Sequence, residues 1–377
     1  MEILDCPMGS FELARYPLRK KESLRAWDAA DEYILHHLDH EAEISLDGRI
    51  LILNDGFGAL SVALAKHQPE MMSDSWLAQQ ATRENLQRNG IASEQVTLLN
   101  SMQALEGEYD LVLIKLPKSH AMLEEQLYKL RICLRDDTRI VAAAMAKNIH
   151  TNTLKLFEKI LGTTTTSLAK KKARLVFCRA DNIDTKKVSP YPVCYTLENT
   201  QHKICNHANV FSRDSLDIGT RFLLKHLPLE QEYQRIIDLG CGNGVVGLMA
   251  AEMYPEAEII FADESFMAIA SAKENFVHAF GEDRKAAFHV TDCLTGIDSE
   301  QVDLVINNPP FHQQHAVGDM VAWQMFQDAR RVLKKGGEIL VIGNRHLGYH
   351  VKLQKVFGNC TTVASNKKFV ILNSIKR

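Results

Sequence analysis

The feature that most narrows what this 377-residue chain can fold into is an internal repeat. Arg83-Glu84-Asn85-Leu86 is matched by Lys273-Glu274-Asn275-Phe276, and Asp110-Leu111-Val112 by Asp303-Leu304-Val305. Further on, Leu161-Gly162-Thr163-Thr164-Thr165-Thr166 is matched by Phe357-Gly358-Asn359-Cys360-Thr361-Thr362, and Lys171-Lys172 by Lys367-Lys368. The separation drifts only from 190 residues (83 to 273) to 196 (161 to 357). A chain of this length exceeds one ordinary core, so two domains are expected. Matches kept in order make those domains two copies of one fold.

The fold follows from the spacing inside each copy. Arg49 to Asn54, Asp110 to Ile114 and Ile140 to Ala144 are apolar runs of strand length, with helical patterns between them such as Ala59 to Lys66. That alternation predicts a doubly wound parallel α/β sheet. Leu24, Trp27, Ile34 and Leu38 predict a helix over Ser23 to Leu38, with Trp27 as a core anchor. The polar run Asp181 to Pro190 places the boundary between domains 1–188 and 189–377. Beyond it, Tyr191 to Leu197 and His202 to Cys205 predict a hairpin, Leu216 to Leu227 a helix, and Ile236 the start of the second α/β series.

Net charge is −3, spread evenly over the two halves, so no global field draws the protein to nucleic acid. An RNA site must then be a local patch, for which Lys170-Lys171-Lys172-Ala173-Arg174 and Lys334-Lys335 are candidates; the alternative is a solvated surface. The eight cysteines have no C-x-x-C pair and no histidine at zinc spacing, which predicts a reducing compartment and no structural metal. No apolar run is long enough to span a bilayer and no secretory h-region opens the chain, so a cytoplasmic protein is expected.

The copies differ where chemistry would sit. After its first strand the second copy has Asp238-Leu239-Gly240-Cys241-Gly242-Asn243-Gly244, and the first only Asn54-Asp55-Gly56-Phe57-Gly58. Alternating glycines let a ligand approach the backbone more closely than a Cβ would allow, although a tight βα turn alone also uses them. A dinucleotide loop would need glycine at position 245, which is Val245. About twenty residues on, Asp263 ends a strand where a carboxylate can accept both hydroxyls of a ribose; capping the next helix is the alternative, with Ser265 as its competitor. Asn307-Asn308-Pro309-Pro310-Phe311 follows the apolar run Asp303 to Ile306, where the first copy has Lys115-Leu116-Pro117-Lys118. The prolines end the strand and restrict Asn308 to extended geometry. A held amide, bare carbonyls and an aromatic ring thus meet at a strand's carboxyl end, with Asn307 as the strand's last residue.

D-x-G-x-G-x-G resembles motif I of class I S-adenosylmethionine-dependent methyltransferases. The resemblance implies that Asp238, Gly240, Cys241, Gly242, Asn243 and Gly244 surround the cofactor, with Asp292 at its adenine amino group; a capping role is the alternative for Asp292. Cys241 and Cys293 themselves are read as small packing residues. Asn-Pro-Pro-Phe resembles the [DNS]-P-P-[YFW] motif of amino-methyltransferases, which act on planar amines and amides. It assigns Asn308 and Pro309 to the amine, Asn308 also to the cofactor, Phe311 to stacking on the base and Pro310 to the base pocket; His312 and His315 are read either as lining that pocket or as solvated loop histidines. Asn206-His207-Ala208-Asn209-Val210-Phe211-Ser212 and the following Leu216 to Thr220 resemble the segment that closes over the cofactor's methionine in rRNA guanine-N2 methyltransferases, which implicates Phe211, Asp217, Gly219 and Thr220.

Over essentially its whole length the chain resembles the RsmC/RlmG family of rRNA guanine-N2 methyltransferases. Phe311-His312-Gln313-Gln314-His315, continuing to Ala322-Trp323, looks like its large-subunit branch. The resemblance implies a tandem duplication of the class I Rossmann-like methyltransferase fold, with a degenerate amino-terminal copy that holds RNA. It further implies S-adenosyl-L-methionine as cofactor and the N2 amine of a guanine in protein-free 23S rRNA as target of a monomeric enzyme. Adenine N6 and a glutamine amide remain open as acceptors, and a non-catalytic RNA-binding assembly factor is the reading from another class.

Overall fold

The computed structural model describes residues 2–18, 22–41, 44–184, 186–228, 232–310 and 315–377, without the side chains of 315–318. The chain divides into two compact units, Met1–Tyr191 and Pro192–Arg377. The first opens on the hairpin β1 (Glu2–Cys6) and β2 (Gly9–Leu13), then α1 (Ala29–His40), β3 (Ile50–Leu53), α2 (Ala59–Ala63), β4 (Glu70–Ser73), α3 (Trp76–Arg88) and β5 (Thr97–Asn100). It continues with β6 (Tyr109–Lys115), α4 (His120–Leu130), β7 (Leu134–Met145), α5 (Thr151–Ile160), β8 (Thr164–Thr166) and β9 (Ala173–Cys178).

The second unit repeats the series. Its hairpin is β10 (Val193–Thr196) and β11 (Lys203–Asn206), followed by α6 (Ile218–Leu224), β12 (Arg235–Leu239), α7 (Val245–Met253), β13 (Glu258–Asp263), α8 (Phe266–Phe280) and β14 (Ala286–Val290). Then come β15 (Val302–Asn307), α9 (His315–Val332), β16 (Leu333–Asn344), α10 (Tyr349–Phe357), β17 (Thr361–Ser365) and β18 (Phe369–Ile375). The sheet orders are β5-β4-β3-β6-β7-β9-β8 and β14-β13-β12-β15-β16-β18-β17, the same order twice. Neighbours are parallel until the last strand of each unit in sequence, β9 or β18, which runs antiparallel to both its partners. The tandem α/β duplication expected from the repeat is what the chain forms.

Each sheet is apolar on both faces because helices cover both. In the second unit Phe261 and Phe276 fill one face, and Phe326 and Val332 the other. Burying such a side chain contributes about 1.5–3 kcal/mol, which is why the central strands read as unbroken apolar runs. The helix predicted from Ser23 begins only at Ala29. Asp28 accepts from the Ala30 and Asp31 N–H groups and Asp31 accepts from the Asp28 N–H, a capping box that sets the start. Trp27, just ahead of the cap, is buried as a core anchor.

The repeated asparagine of the sequence match has one job in both copies. Asn85 binds both backbone groups of Ala14 and the Phe57 carbonyl, and Asn275 binds both backbone groups of Cys205 and the Asn243 carbonyl. Each thereby ties the entry segment of its unit to the loop after the first sheet strand. Scattered spacing gave no sign of a bridge between cysteines, yet the β10–β11 register sets Cys194 opposite Cys205 and the two form a disulfide. Pairing across a hairpin follows from register, which spacing along the chain does not encode. Among the described residues, no helix is long and apolar enough to cross a membrane.

Candidate active site

The order of each sheet reverses between its first and fourth strands. In the second unit these are β12 and β15, with Leu239 beside Asn307, so the crevice of an open α/β sheet lies just beyond both. The glycine loop enters it from one side and Asn308-Pro309-Pro310 from the other. Gly240 and Gly242 have φ of +70° and +53°, the left-handed region that favours glycine. A Cβ on Gly242 would meet nothing within 4 Å, and one on Gly240 would come 3.2 Å from the Met325 methyl and 4.0 Å from the Asn308 carbonyl oxygen. The open space beside Gly242 fits the cofactor that the motif implies. Gly244 does something else: a Cβ there would stand 2.9 Å from the Ala272 Cα, just as one on Gly58 would stand 2.8 Å from the Thr82 Cα. This last glycine packs one helix start on the next in both copies.

The acidic residues divide by environment. Asp238 is buried and its Oδ2 accepts from the Gly247 N–H at 2.8 Å, within the first turn of α7. Burial pushes its carboxyl up to about 8. In the first copy Asp55, from the loop rather than the strand, accepts from the equivalent Ser61 N–H at 2.8 Å. The recorded work of Asp238 is therefore a helix cap that the copy without the glycine pattern also has. Asp263 lies at the crevice edge, accepting from the Gly242 N–H and the Ser265 N–H, each at 3.0 Å. Ser265 takes the N-cap of α8, accepting from Ala268, so capping does not account for Asp263. Asp292 is buried and accepts from the Gln324 amide at 2.9 Å. Asn243 is held by Asn206 and Asn275. Burial raises the thiols of Cys241 and Cys293, which suits packing and not nucleophilic attack.

Asn308 is held from one side. Its Nδ2 donates to Thr220 Oγ1 at 3.1 Å, while Thr220 donates its backbone N–H to Asp217 Oδ2 at 2.9 Å and its hydroxyl to the same oxygen at 3.4 Å. Asp217 is the N-cap of α6. Gly219 leaves room for this: a Cβ would lie 2.9 Å from Asp217 Oδ2. With its NH2 so engaged, Asn308 keeps its Oδ1 buried and without a partner among the described residues. A buried orphan acceptor costs about 1–3 kcal/mol, a cost that persists in folded proteins chiefly where the atom has a use. Asn307 turns away, donating to the Leu239 carbonyl at 2.8 Å and closing the strand. Pro309 is buried and Pro310 half-buried. Phe211 is 56% exposed on the turn before α6. Phe311 and His312 lie outside the described residues.

The first unit fills the same place with its own side chains. Asn54, left-handed like Gly240, donates to the Lys115 carbonyl and to Gln126. Lys115, the counterpart of Asn308, ion-pairs with Asp28 at 2.7 Å and Asp31 at 2.8 Å, at the α1 positions that match Asp217 and Thr220 in α6. Burial opposes the Lys115 charge, but Asp31 and Asp28 hold its ammonium above the ordinary value. Burial, partly offset by Lys115, pushes Asp31 up to about 6. A donor and its counter-ions stand where the second unit offers an acceptor.

Among the basic candidates, Lys171 pairs with Glu32 at 2.7 Å, Lys170 lies over the Tyr33 ring, Lys172 and Arg174 flank them, and Lys334 pairs with Asp303. The contacts that spacing missed are the Thr220–Asn308 bond, across 88 residues, and the Gln324–Asp292 bond. Neither has a local signal. Asn275 did have one, in the repeat itself.

A model described as the RLMG N-terminal domain matches residues 1–182, and one described as the methyltransferase small domain matches 201–373. A protein of Erwinia tasmaniensis named ribosomal RNA large subunit methyltransferase G is 52% identical over 381 residues, covering 100% of both chains. Its namesake in Streptomyces avermitilis is 48% identical over 376 residues, covering 98% of each chain. Among solved structures, a T. thermophilus 16S rRNA N2 G1207 methyltransferase, in complex with AdoMet and guanosine, matches with a TM-score of 0.77 at 22% identity over 100% of this chain and 98% of the other, a likeness of fold.

Proposed function

Since the chain belongs to the ribosomal RNA large subunit methyltransferase G family, we propose that it methylates the exocyclic N2 of one guanine in 23S rRNA, using S-adenosyl-L-methionine. The observation that carries this reading is the Asn308 Oδ1, buried and unpartnered among the described residues at the switch point of the unit that carries Gly240, Gly242 and Gly244. The cofactor supplies a methyl group on a sulfonium; the remaining work falls to the protein. Gly240 and Gly242 admit it to the loop, and Asp263 holds the ribose side. An exocyclic amine is a poor nucleophile because its lone pair is delocalised into the ring. Asn308 Oδ1 and the Pro309 carbonyl each accept one N–H of the amine, which localises the lone pair and directs it at the methyl carbon. Thr220 and Asp217 hold the Asn308 amide so that its oxygen, and not its NH2, faces the amine. Phe311 stacks on the extruded base, worth about 1–3 kcal/mol. The nitrogen sheds its proton after transfer, so no strong base is required.

The proposal extends to a cytoplasmic monomer acting on protein-free rRNA, with the first unit holding RNA. Methyl transfer from labelled cofactor should be offered in parallel to protein-free 23S rRNA, to 16S rRNA and to a release-factor protein. Label on guanine of 23S rRNA is expected; label confined to glutamine of the protein would sink the guanine reading.

A further inference from the structure

Three side-chain amide oxygens are buried without a partner among the described residues: those of Asn307, Asn308 and Asn344. All three stand at the carboxyl ends of the neighbouring parallel strands β15 and β16. Asn307 closes its strand and Asn308 serves the amine, but nothing so far uses Asn344. Register places it. Asn307 pairs with Val341, so Asn308 is level with Ile342, and Asn344 lies two residues further out, roughly 6.6 Å, on a strand about 4.8 Å away. Alternation puts Asn344 on the face of Leu340 and Ile342, the same face as Ile306 and Asn308. Its partner across β18 is Phe369, whose ring lies 3.2 Å from where a Cβ on Gly219 would be. Asn344 therefore borders the crevice beside α6, beyond Asn308.

The first unit provides an independent observation. There the counterpart of Asn308 is Lys115, which pairs with Ala143, and the residue two further out is Met145, packed into the core on the α1 side. Both amides are absent together from the unit whose crevice is filled.

Resting on the guanine reading above, we infer that Asn344 is a specificity-determining residue whose Oδ1 accepts the N1–H of the target guanine. The chemistry discriminates. Guanine presents N1–H beside its N2 amine, donor next to donor, whereas adenine presents a bare N1 acceptor beside its N6 amine. A second acceptor beside the amine-holding pair is satisfied by guanine, and is left facing a lone pair by adenine. Sites that reject a substrate lacking one hydrogen-bonding group do so because their buried polar atoms are then unpaired.

The test uses full-length protein and 23S rRNA assembled by splinted ligation, with guanine or 2-aminopurine at the mapped target; 2-aminopurine keeps the N2 amine and lacks N1–H. Wild type should prefer guanine by on the order of 10⁴-fold in kcat/KM. Asn344→Met, which installs the first unit's residue, should cut transfer to guanine by at least tenfold and leave 2-aminopurine within about twofold. Asn344→Asp, still an acceptor, should retain the preference, and cofactor affinity of both variants reports folding. If Asn344→Met keeps the full preference, or loses both substrates equally, the inference is overturned. If wild type modifies no guanine at all, the underlying function falls and takes the inference with it.

Discussion

Replacing Asn308 with alanine removes one of the two acceptors assigned to the amine and leaves the Pro309 carbonyl in place. Loss of one preorganised polar contact to a developing charge costs about 10²–10³ in rate, about 2.7–4 kcal/mol. With the second acceptor retained, and with an amine that carries less charge than an oxyanion, the lower end applies. Asn308→Ala should therefore transfer methyl about 100-fold more slowly. The same change frees Thr220 Oγ1 from its 3.1 Å bond, but Thr220 keeps both bonds to Asp217, so the fold loses at most about 1–3 kcal/mol. Gly240, Gly242 and Asp263 are untouched, and cofactor affinity should stay within about threefold. The assay is single-turnover transfer of labelled methyl to 23S rRNA at saturating cofactor, with calorimetric cofactor titration and thermal unfolding as controls. Near wild-type single-turnover rates, or a loss fully explained by weaker cofactor binding, would refute the role given to this amide.

Thr220→Val should lower kcat about tenfold with KM for rRNA little changed, and Thr220→Ser should restore it, because only the hydroxyl orients Asn308; equal losses in both variants would leave Thr220 a packing residue. Lys115→Met strands Asp28 and Asp31 without their cation, and should cost about 3–5 kcal/mol by urea unfolding near pH 7.5. Without that cation Asp31 is pushed above its present value of about 6, so the cost should shrink as pH falls through the folded value towards the unfolded value near 4, because the folded carboxyl is then already protonated; a pH-independent cost would contradict the ion-pair account. Asp238 has its folded-state value raised to about 8, so its contribution is fully present below the unfolded value near 4 and declines as pH rises towards 8. Asp238→Asn keeps the acceptor for Gly247 without that penalty. It should match wild type in melting temperature near pH 4 and exceed it at pH 8; a lower melting temperature at pH 8 would mean that the charge itself is needed.

The architecture was legible because the signals for it are local or periodic. Apolar runs of strand length marked the central strands, and the ordered matches around Asn85 and Asn275 marked the duplication. Both reflect packing that each unit must solve in the same way. Boundaries were less legible: α1 starts at Ala29 because Asp28 and Asp31 cap each other, which outweighs the apolar spacing that extends back to Leu24. Residue type placed Asp263 at the crevice and Asn308 beside the glycine loop, since the strand ends converge there in any sheet of this order. It could not show that Asp238 works as the cap that Asp55 provides in the first unit, because one carboxylate comes from the strand and the other from the loop after it. Nor could it find Thr220 as the support of Asn308, or Asn344 at the crevice rim. Those depend on which strands are neighbours and on side chains far apart in the chain, and a lone asparagine at the end of a strand has no pattern of its own.

The central claim is that the second unit's crevice methylates a guanine amine in the large-subunit RNA. The most direct measurement is mass-spectrometric nucleoside analysis of protein-free 23S rRNA after incubation with the full-length protein and S-adenosylmethionine. The account predicts one new N2-methylguanosine per 23S molecule, formed about 100-fold more slowly with Asn308→Ala. N6-methyladenosine instead, or no new methylated nucleoside, would contradict it.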